Sequence, residues 1–323
     1  MKYRMLGNSG LLVSEVGFGC WGIGGDHQGA IAYGPTHDED SLRALHSAFD
    51  CGINFFDTSD LYGHGHSESL LGKAFQTRRE RVIIATKGGM NAGESMNKMP
   101  SSYLRTTLEG SLKRLRTDYV DLYQLHGPSL QTLEKDNEVF PLLEQFRIEG
   151  KVRAYGISVR NPADGLEVGR RYPCSCLQVN FSLIDQRVLE NGLFPFCADR
   201  QIGIIGRTPL CFGYLTGQYT GEESFSPSDH RSRWKRERKD TWVMTQKKIL
   251  SFVPQDGGWT ATQFALRFCL SYKAVSTVIP GMLLESHVKE NCAASDGGPL
   301  PRRVLEDLQS LYQQNRELLA MKP

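Results

Sequence analysis

The sequence predicts an α/β protein, a single (β/α)8 TIM barrel with an N-terminal hairpin and a C-terminal helical tail. Three observations point there. Eight short β-rich runs alternate with helix-like stretches along the 323 residues, the alternation that builds a parallel sheet. The runs are mostly continuous in apolar residues, as strands covered on both faces are. Consecutive strand ends fall at 57, 87, 126, 158, 178 and 207, roughly the ~31-residue step of a ~250-residue barrel of eight units. A doubly wound sheet is the second choice.

Taken in order, "KYRMLGNSGLLVSEV" alternates around an Asn-Ser-Gly turn, so residues 1–14 form a hairpin plugging the bottom of the barrel. Strands are expected at 14–19, 53–57, 82–87, 118–126, 152–158, 176–180, 202–207 and 275–281. Helical patterns lie at 38–51, 66–78, 101–117, 132–149, 187–200 and 260–271. Ser101 reads as an N-cap, and Gly52 and Gly150 stand where C-caps belong. The long interval before the last strand holds a large loop, 208–240, and then a helix before 258. A tail, 292–323, ends in a helical run at 301–319 over the outside or mouth of the barrel. Residues 1–323 read as one domain.

Composition narrows the function. Hydrophobic residues make up 40% and charged residues 23%, ample for a core. A net charge of +2 gives no argument for nucleic acid or a membrane surface. No apolar run approaches the ~20 residues of a spanning helix. The start "MKYRMLGNSG" has no signal-peptide core. Eight scattered cysteines form no CxxC pair and read as free thiols in a reducing cytoplasm. Nothing here fixes an oligomeric state.

The chemistry sits at strand ends, where barrels of this kind carry it. The second strand closes on Asp57 with Tyr62 in its loop, the third on Lys87, the fourth on His126. Singly, each has a plain structural reading: a loop anchor, a solvated lysine, a satisfied histidine. Together they make a proton donor. Tyrosine titrates near pH 10, so it gives up a proton at neutral pH only with its phenolate stabilised. A buried Lys87 ammonium does that, Asp57 keeps the ammonium charged, and His126 fixes the same carbonyl oxygen. A group that protonates an oxygen while something attacks the carbon has hydride as its natural partner. His64, His66, Asp60 and Glu68 look like metal ligands but share one glycine-containing loop, and no metal site is expected. There is no serine elbow, Walker loop or HExxH.

Ordered along the chain, "YRMLGNSGLLVSEVGFG", "FFDTSDLYG", "VIIATK", "VDLYQLHGP", "LQVNFSLIDQR", "YLTGQY" and "STVIPG…ENCAA" resemble the aldo-keto reductases. The resemblance covers essentially the whole chain. It implies a catalytic tetrad of Asp57, Tyr62, Lys87 and His126 and a nicotinamide cofactor, NADP(H) with NAD(H) possible. Ser158 and Gln178 then match the nicotinamide carboxamide contacts, and Glu290 and Asn291 the adenine contacts. Thr208, Leu210 and Phe212 fall where the pyrophosphate is gripped, with Gly281 and His287 completing the cofactor set. Arg207 replaces a stacking aromatic ring, and Trp21 is a wall of the substrate pocket or plain packing. Two departures stand out. Val159 occupies the usual asparagine position, with Asn161 two residues on, and "GMLLESHVKEN" offers only His287 and Lys289 to a 2′-phosphate. The basic run 231–239 is either a phosphate clamp, a site for a charged substrate or a solvated face. The resemblance implies a reversible reductase of a small carbonyl compound, a sugar or nucleotide-sugar intermediate among the candidates. The alternative is a cofactor-binding regulatory subunit like those of potassium channels.

Overall fold

The computed structural model describes residues 1–90, 99–254 and 258–316. β1 (Tyr3–Met5) and β2 (Leu12–Ser14) pair as an antiparallel hairpin. Eight parallel strands follow in chain order: β3 (Phe18–Gly19), β4 (Phe55–Asp57), β5 (Ile83–Gly88), β6 (Val120–His126), β7 (Val152–Ser158), β8 (Cys176–Asn180), β9 (Gly203–Arg207) and β10 (Val275–Ile279). Bridges from Val16 to Val278 and from Gly19 to Gly281 join first to last, so the sheet is a nearly closed barrel.

The surrounding helices are α1 (Asp38–Asp50), α2 (His66–Phe75), α3 (Ser101–Leu115), α4 (Leu130–Lys135), α5 (Val139–Ile148), α6 (Pro162–Arg171), α7 (Leu193–Asp199), α8 (Arg236–Leu250), α9 (Ala261–Leu270), α10 (Glu285–Ala293) and α11 (Arg302–Gln314). Gly52 and Gly150 have φ of +88° and +74° just past α1 and α5, the left-handed turn that stops a helix.

Several boundaries differ from the sequence reading, each for a local reason. The strand expected at 14–19 is regular only at Phe18–Gly19. Ser101 is the first residue of α3 rather than its cap; Pro100 precedes it, and the Ser101 hydroxyl donates to Glu138 at 3.3 Å. The helix expected at 132–149 breaks into α4 and α5 because Asp136 accepts the Met99 and Glu138 amides at 2.9 and 3.2 Å. The helix expected at 187–200 is a 3-10 turn and α7, parted by Gly192 at φ +76°. Two helices were not expected at all, α6 and α10. Of the run at 301–319, α11 ends at Gln314, and residues 317–319 lie outside the described residues. Among the described residues no helix is long and apolar enough to cross a membrane.

The inward face of the barrel explains the site. Successive strand residues point to opposite faces, so residues two apart share one. Low in the barrel the inward side chains are Phe55, Ala85, Leu122, Ala154, Cys176 and Ile205, packed on Leu6, Leu11 and Val13 of the hairpin. Two residues on come Asp57, Lys87, Gln124, Gly156, Gln178 and Arg207. The plug is pinned by Arg4, whose guanidinium donates to Val275 O at 2.8 Å and Leu270 O at 2.9 Å. Phe55→Ala, directly beneath Asp57, is expected to cost about 3–5 kcal/mol in urea denaturation. A loss below about 1 kcal/mol would contradict this packing of the plug.

Candidate active site

The Lys87 ammonium is wholly buried, and each of its three N–H donors has an acceptor. They go to Asp57 Oδ1 at 2.5 Å, Thr58 O at 2.8 Å and Tyr62 Oη at 3.1 Å. The other Asp57 oxygen, Oδ2, accepts from Gln124 Nε2 at 2.9 Å and Gln178 Nε2 at 2.8 Å. Gln178 also donates to Gln124 Oε1 at 3.1 Å and accepts from Ser158 Oγ at 3.2 Å. The carboxylate is thus desolvated but paired and doubly hydrogen-bonded, the condition under which a buried charge is tolerated.

Burial opposes the charge on Lys87, yet Asp57 and Tyr62 outweigh it and raise its pKa above the ordinary ammonium value. Burial pushes Tyr62 above the ordinary phenol value, with Lys87 pulling the other way. The sequence reading had the lysine dominate; before any proton leaves, desolvation wins and Tyr62 is a phenol. Its oxygen accepts from Lys87, so its O–H is free to point elsewhere. His126 is held well below the usual imidazole value, by burial first and then by Lys87, Arg207 and Arg160.

These groups face a cavity of about 630 Å³. Asp57, Tyr62, His126 and Gln178 lie at one end, and Trp21 and Arg207 line the wall. Thr208, Leu210, Phe212, Gly281, His287, Glu290 and Asn291 continue the lining. Ser158 faces an adjoining recess of about 110 Å³ beside Tyr62, His126 and Arg207. Every residue assigned from the sequence to the tetrad, the cofactor or the substrate pocket, except the underlying Lys87, therefore borders one of two abutting hollows.

Details depart from the expectation. Asn161 accepts the Ala163 amide as the N-cap of α6, so it does not replace the asparagine missing at Val159. One Arg207 Nη donates to Val159 O at 3.0 Å, while its buried Nε has no partner. His287 Nδ1 accepts the Leu283 amide at 3.3 Å, and burial lowers its pKa. Thr260 Oγ1 donates to Glu290. Three of the four residues weighed as metal ligands have other partners, Asp60 accepting from Ser59 at 2.9 Å. Glu68 pairs with Arg114 at 2.7 Å and accepts from Thr86 at 2.5 Å, and His66 lies 2.8 Å from Asp38.

The basic run is not a uniform face. Arg231 is buried against Asp229 at 2.6 Å, donates to Phe212 O at 3.1 Å and lies 4.9 Å from the Tyr33 ring. Arg238 packs on Trp234 and Trp242 at 4.5 and 4.6 Å. These contacts belong to a seam absent from the sequence reading. Ala32 and Tyr33 bridge to Asp229, and the His230 amide donates to Ala32 O at 3.0 Å. Trp21 sits in that seam, 5.2 Å from Tyr33 and 4.7 Å from His230 between ring centres. The Tyr62 loop meets it by close backbone approach: a Cβ on Gly63, at φ +60°, would lie 2.3 Å from Gly24 O.

A family model described as aldo/keto reductase family matches residues 15–313. An uncharacterized oxidoreductase, YqkF, of Bacillus subtilis is 32% identical over 321 residues, 98% of each chain. L-galactose dehydrogenase of Arabidopsis thaliana is 33% identical over 91% of this chain and 88% of its own. Among solved structures, the holo form of an aldo-keto reductase from Bacillus halodurans superposes with a TM-score of 0.78 at 30% identity, covering 96% of both chains.

Proposed function

This chain belongs to the aldo/keto reductase family, and from that premise we propose that it is a carbonyl reductase working with NADP(H) or NAD(H). The observation that carries the reading is the unbroken file Asp57–Lys87–Tyr62 ending at the cavity beside His126.

The residues fit a dinucleotide. The cavity extends from Tyr62 to Asn291, and the buried Arg207 Nε awaits an acceptor. Ser158, Gln178 and Arg207 would hold the nicotinamide end, Thr208, Leu210, Phe212 and Gly281 the phosphates, and His287, Glu290 and Asn291 the adenosine. When bound, the nicotinamide supplies hydride to the carbonyl carbon. Tyr62 gives its proton to the carbonyl oxygen, and Lys87 holds the phenolate left behind. Asp57 keeps Lys87 charged and aimed, and His126 orients the oxygen. Trp21 offers an aromatic wall to the substrate, suited to a small aldehyde or to one face of an aldose; the L-galactose dehydrogenase relative supports the second.

Titrating the protein with NADPH and NADH in parallel, read by tryptophan fluorescence, tests the cofactor. Saturable quenching is expected, and none with either nucleotide would overturn the reading. His287 Nδ1 accepts the Leu283 amide, which leaves Nε2–H as a donor, and Lys289 is exposed, so a strong preference for NADPH assigns its 2′-phosphate to His287, Lys289 or the exposed cations of 233–239. Lys289→Ala should then lower that preference.

A further inference from the structure

His126 offers the cavity only one of its two ring nitrogens. Nδ1 lies 3.1 Å from Ser59 Oγ, and Ser59 Oγ donates to Asp60 Oδ1 at 2.9 Å while accepting the Leu61 amide at 3.2 Å. A hydroxyl has one proton and two lone pairs, so this arrangement is fully determined. With the Ser59 proton on an ionised Asp60, one lone pair serves Leu61 and the other must receive Nδ1–H of His126. The cavity then meets a bare lone pair on Nε2. With Asp60 protonated, its O–H donates to Ser59, the Ser59 proton turns to Nδ1, and the imidazole hydrogen must sit on Nε2.

We propose that Asp60 is a positioning residue that acts through Ser59 to set which nitrogen of His126 carries the hydrogen, and hence whether the site offers the substrate oxygen a donor or an acceptor. The change takes up one proton, at the Asp60 carboxylate. The imidazole stays neutral, losing the hydrogen on Nδ1 and gaining one on Nε2 by exchange with solvent. The consequence for catalysis rests on the carbonyl-reductase reading. A carbonyl oxygen needs the Nε2–H donor, whereas the hydroxyl of an alcohol is met by the Nε2 lone pair. Protonated Asp60 favours binding of the carbonyl, ionised Asp60 that of the alcohol.

The surroundings place this exchange in an accessible range. Asp60 faces Ser59 and Leu61 in its own loop, Glu68 of α2, Arg114 of α3 and Tyr123 of β6. Burial raises it first and Glu68 adds to that; the Ser59 bond, Arg114 and the Leu61 amide oppose, leaving it at about 6. Burial and the cations Lys87 of β5, Arg207 of β9 and Arg160 keep His126 neutral through the same range. Glu68 is itself committed to Arg114 and Thr86.

The test needs neither cofactor nor turnover, so it fails separately from the functional reading. In protein labelled with ¹⁵N-histidine, the ring-nitrogen resonances of His126, assigned with His126→Gln, are followed from pH 5 to 8. We expect the Nδ1 and Nε2 signals to exchange between protonated and unprotonated positions with a midpoint near 6. The exchange should vanish in Asp60→Ala and, independently, in Ser59→Ala. A wild-type ring with one fixed tautomer across the range, or one that becomes doubly protonated, would overturn the proposal. So would an exchange that survives Asp60→Ala.

Discussion

Tyr62→Phe is expected to reduce carbonyl turnover by about 10²–10⁴-fold while nicotinamide affinity stays the same. Phenylalanine keeps the ring, and with it the 4.8 Å contact of the Lys87 ammonium with the ring face and the packing beside Trp21 and His126. What goes is one oxygen. Lys87 retains Asp57 and the Thr58 carbonyl as acceptors, so no buried charge is stranded and the fold should melt where the parent does. The loss should therefore fall on kcat, followed through disappearance of reduced nicotinamide with an aryl aldehyde such as 4-nitrobenzaldehyde. Undiminished turnover would remove Tyr62 from the role of acid and return the quartet to a structural network.

Lys87→Met should lower both turnover and stability, the latter by about 3–5 kcal/mol. Methionine matches the stem in volume but leaves the Asp57 carboxylate, 2% exposed, with only Gln124 and Gln178 as donors. The sign of the pH dependence follows from the raised pKa of Lys87. Its contribution is complete below the unfolded value of about 10.4 and is lost as the pH climbs through the higher folded value, so the deficit of the variant should be constant from neutral pH until strongly alkaline solution. Adding Asp57→Asn should recover part of the stability, because the stranded charge is gone, and none of the turnover. Equal unfolding midpoints for parent and Lys87→Met would show that the pair carries no net weight.

How much of this could be read in advance follows from geometry. Asp57, Lys87, His126, Ser158, Gln178 and Arg207 all lie at or near strand ends, and a strand repeats every two residues, so finding the strands found the residues. Gln124 obeys the same rule, midway between Leu122 and His126 on the inward face but two residues inside the strand end. The start signal of α6 is also present in the sequence, Asn161 followed by Pro162. The seam between the 20–37 loop and Asp229–Arg231 was out of reach. It joins segments about two hundred residues apart through backbone bridges, which leave no periodic trace in either. The fate of the basic run was hidden for the same reason: whether an arginine meets solvent or a buried aspartate depends on a loop conformation that composition does not set.

The hairpin at the foot of the barrel carries a consequence for how the chain comes to be assembled. Leu6, Leu11 and Val13 are made before the barrel strands, yet their burial requires Phe55, Ala85, Leu122, Ala154, Cys176, Ile205 and Ile279. Arg4 waits for the carbonyls of Leu270 and Val275, and the Lys2 amide for Ser295 Oγ at 2.8 Å. Contacts of such sequence separation form late and slowly. These apolar residues therefore stay uncovered while the strands are being made, and the barrel is sealed from below only once its last strand is in place.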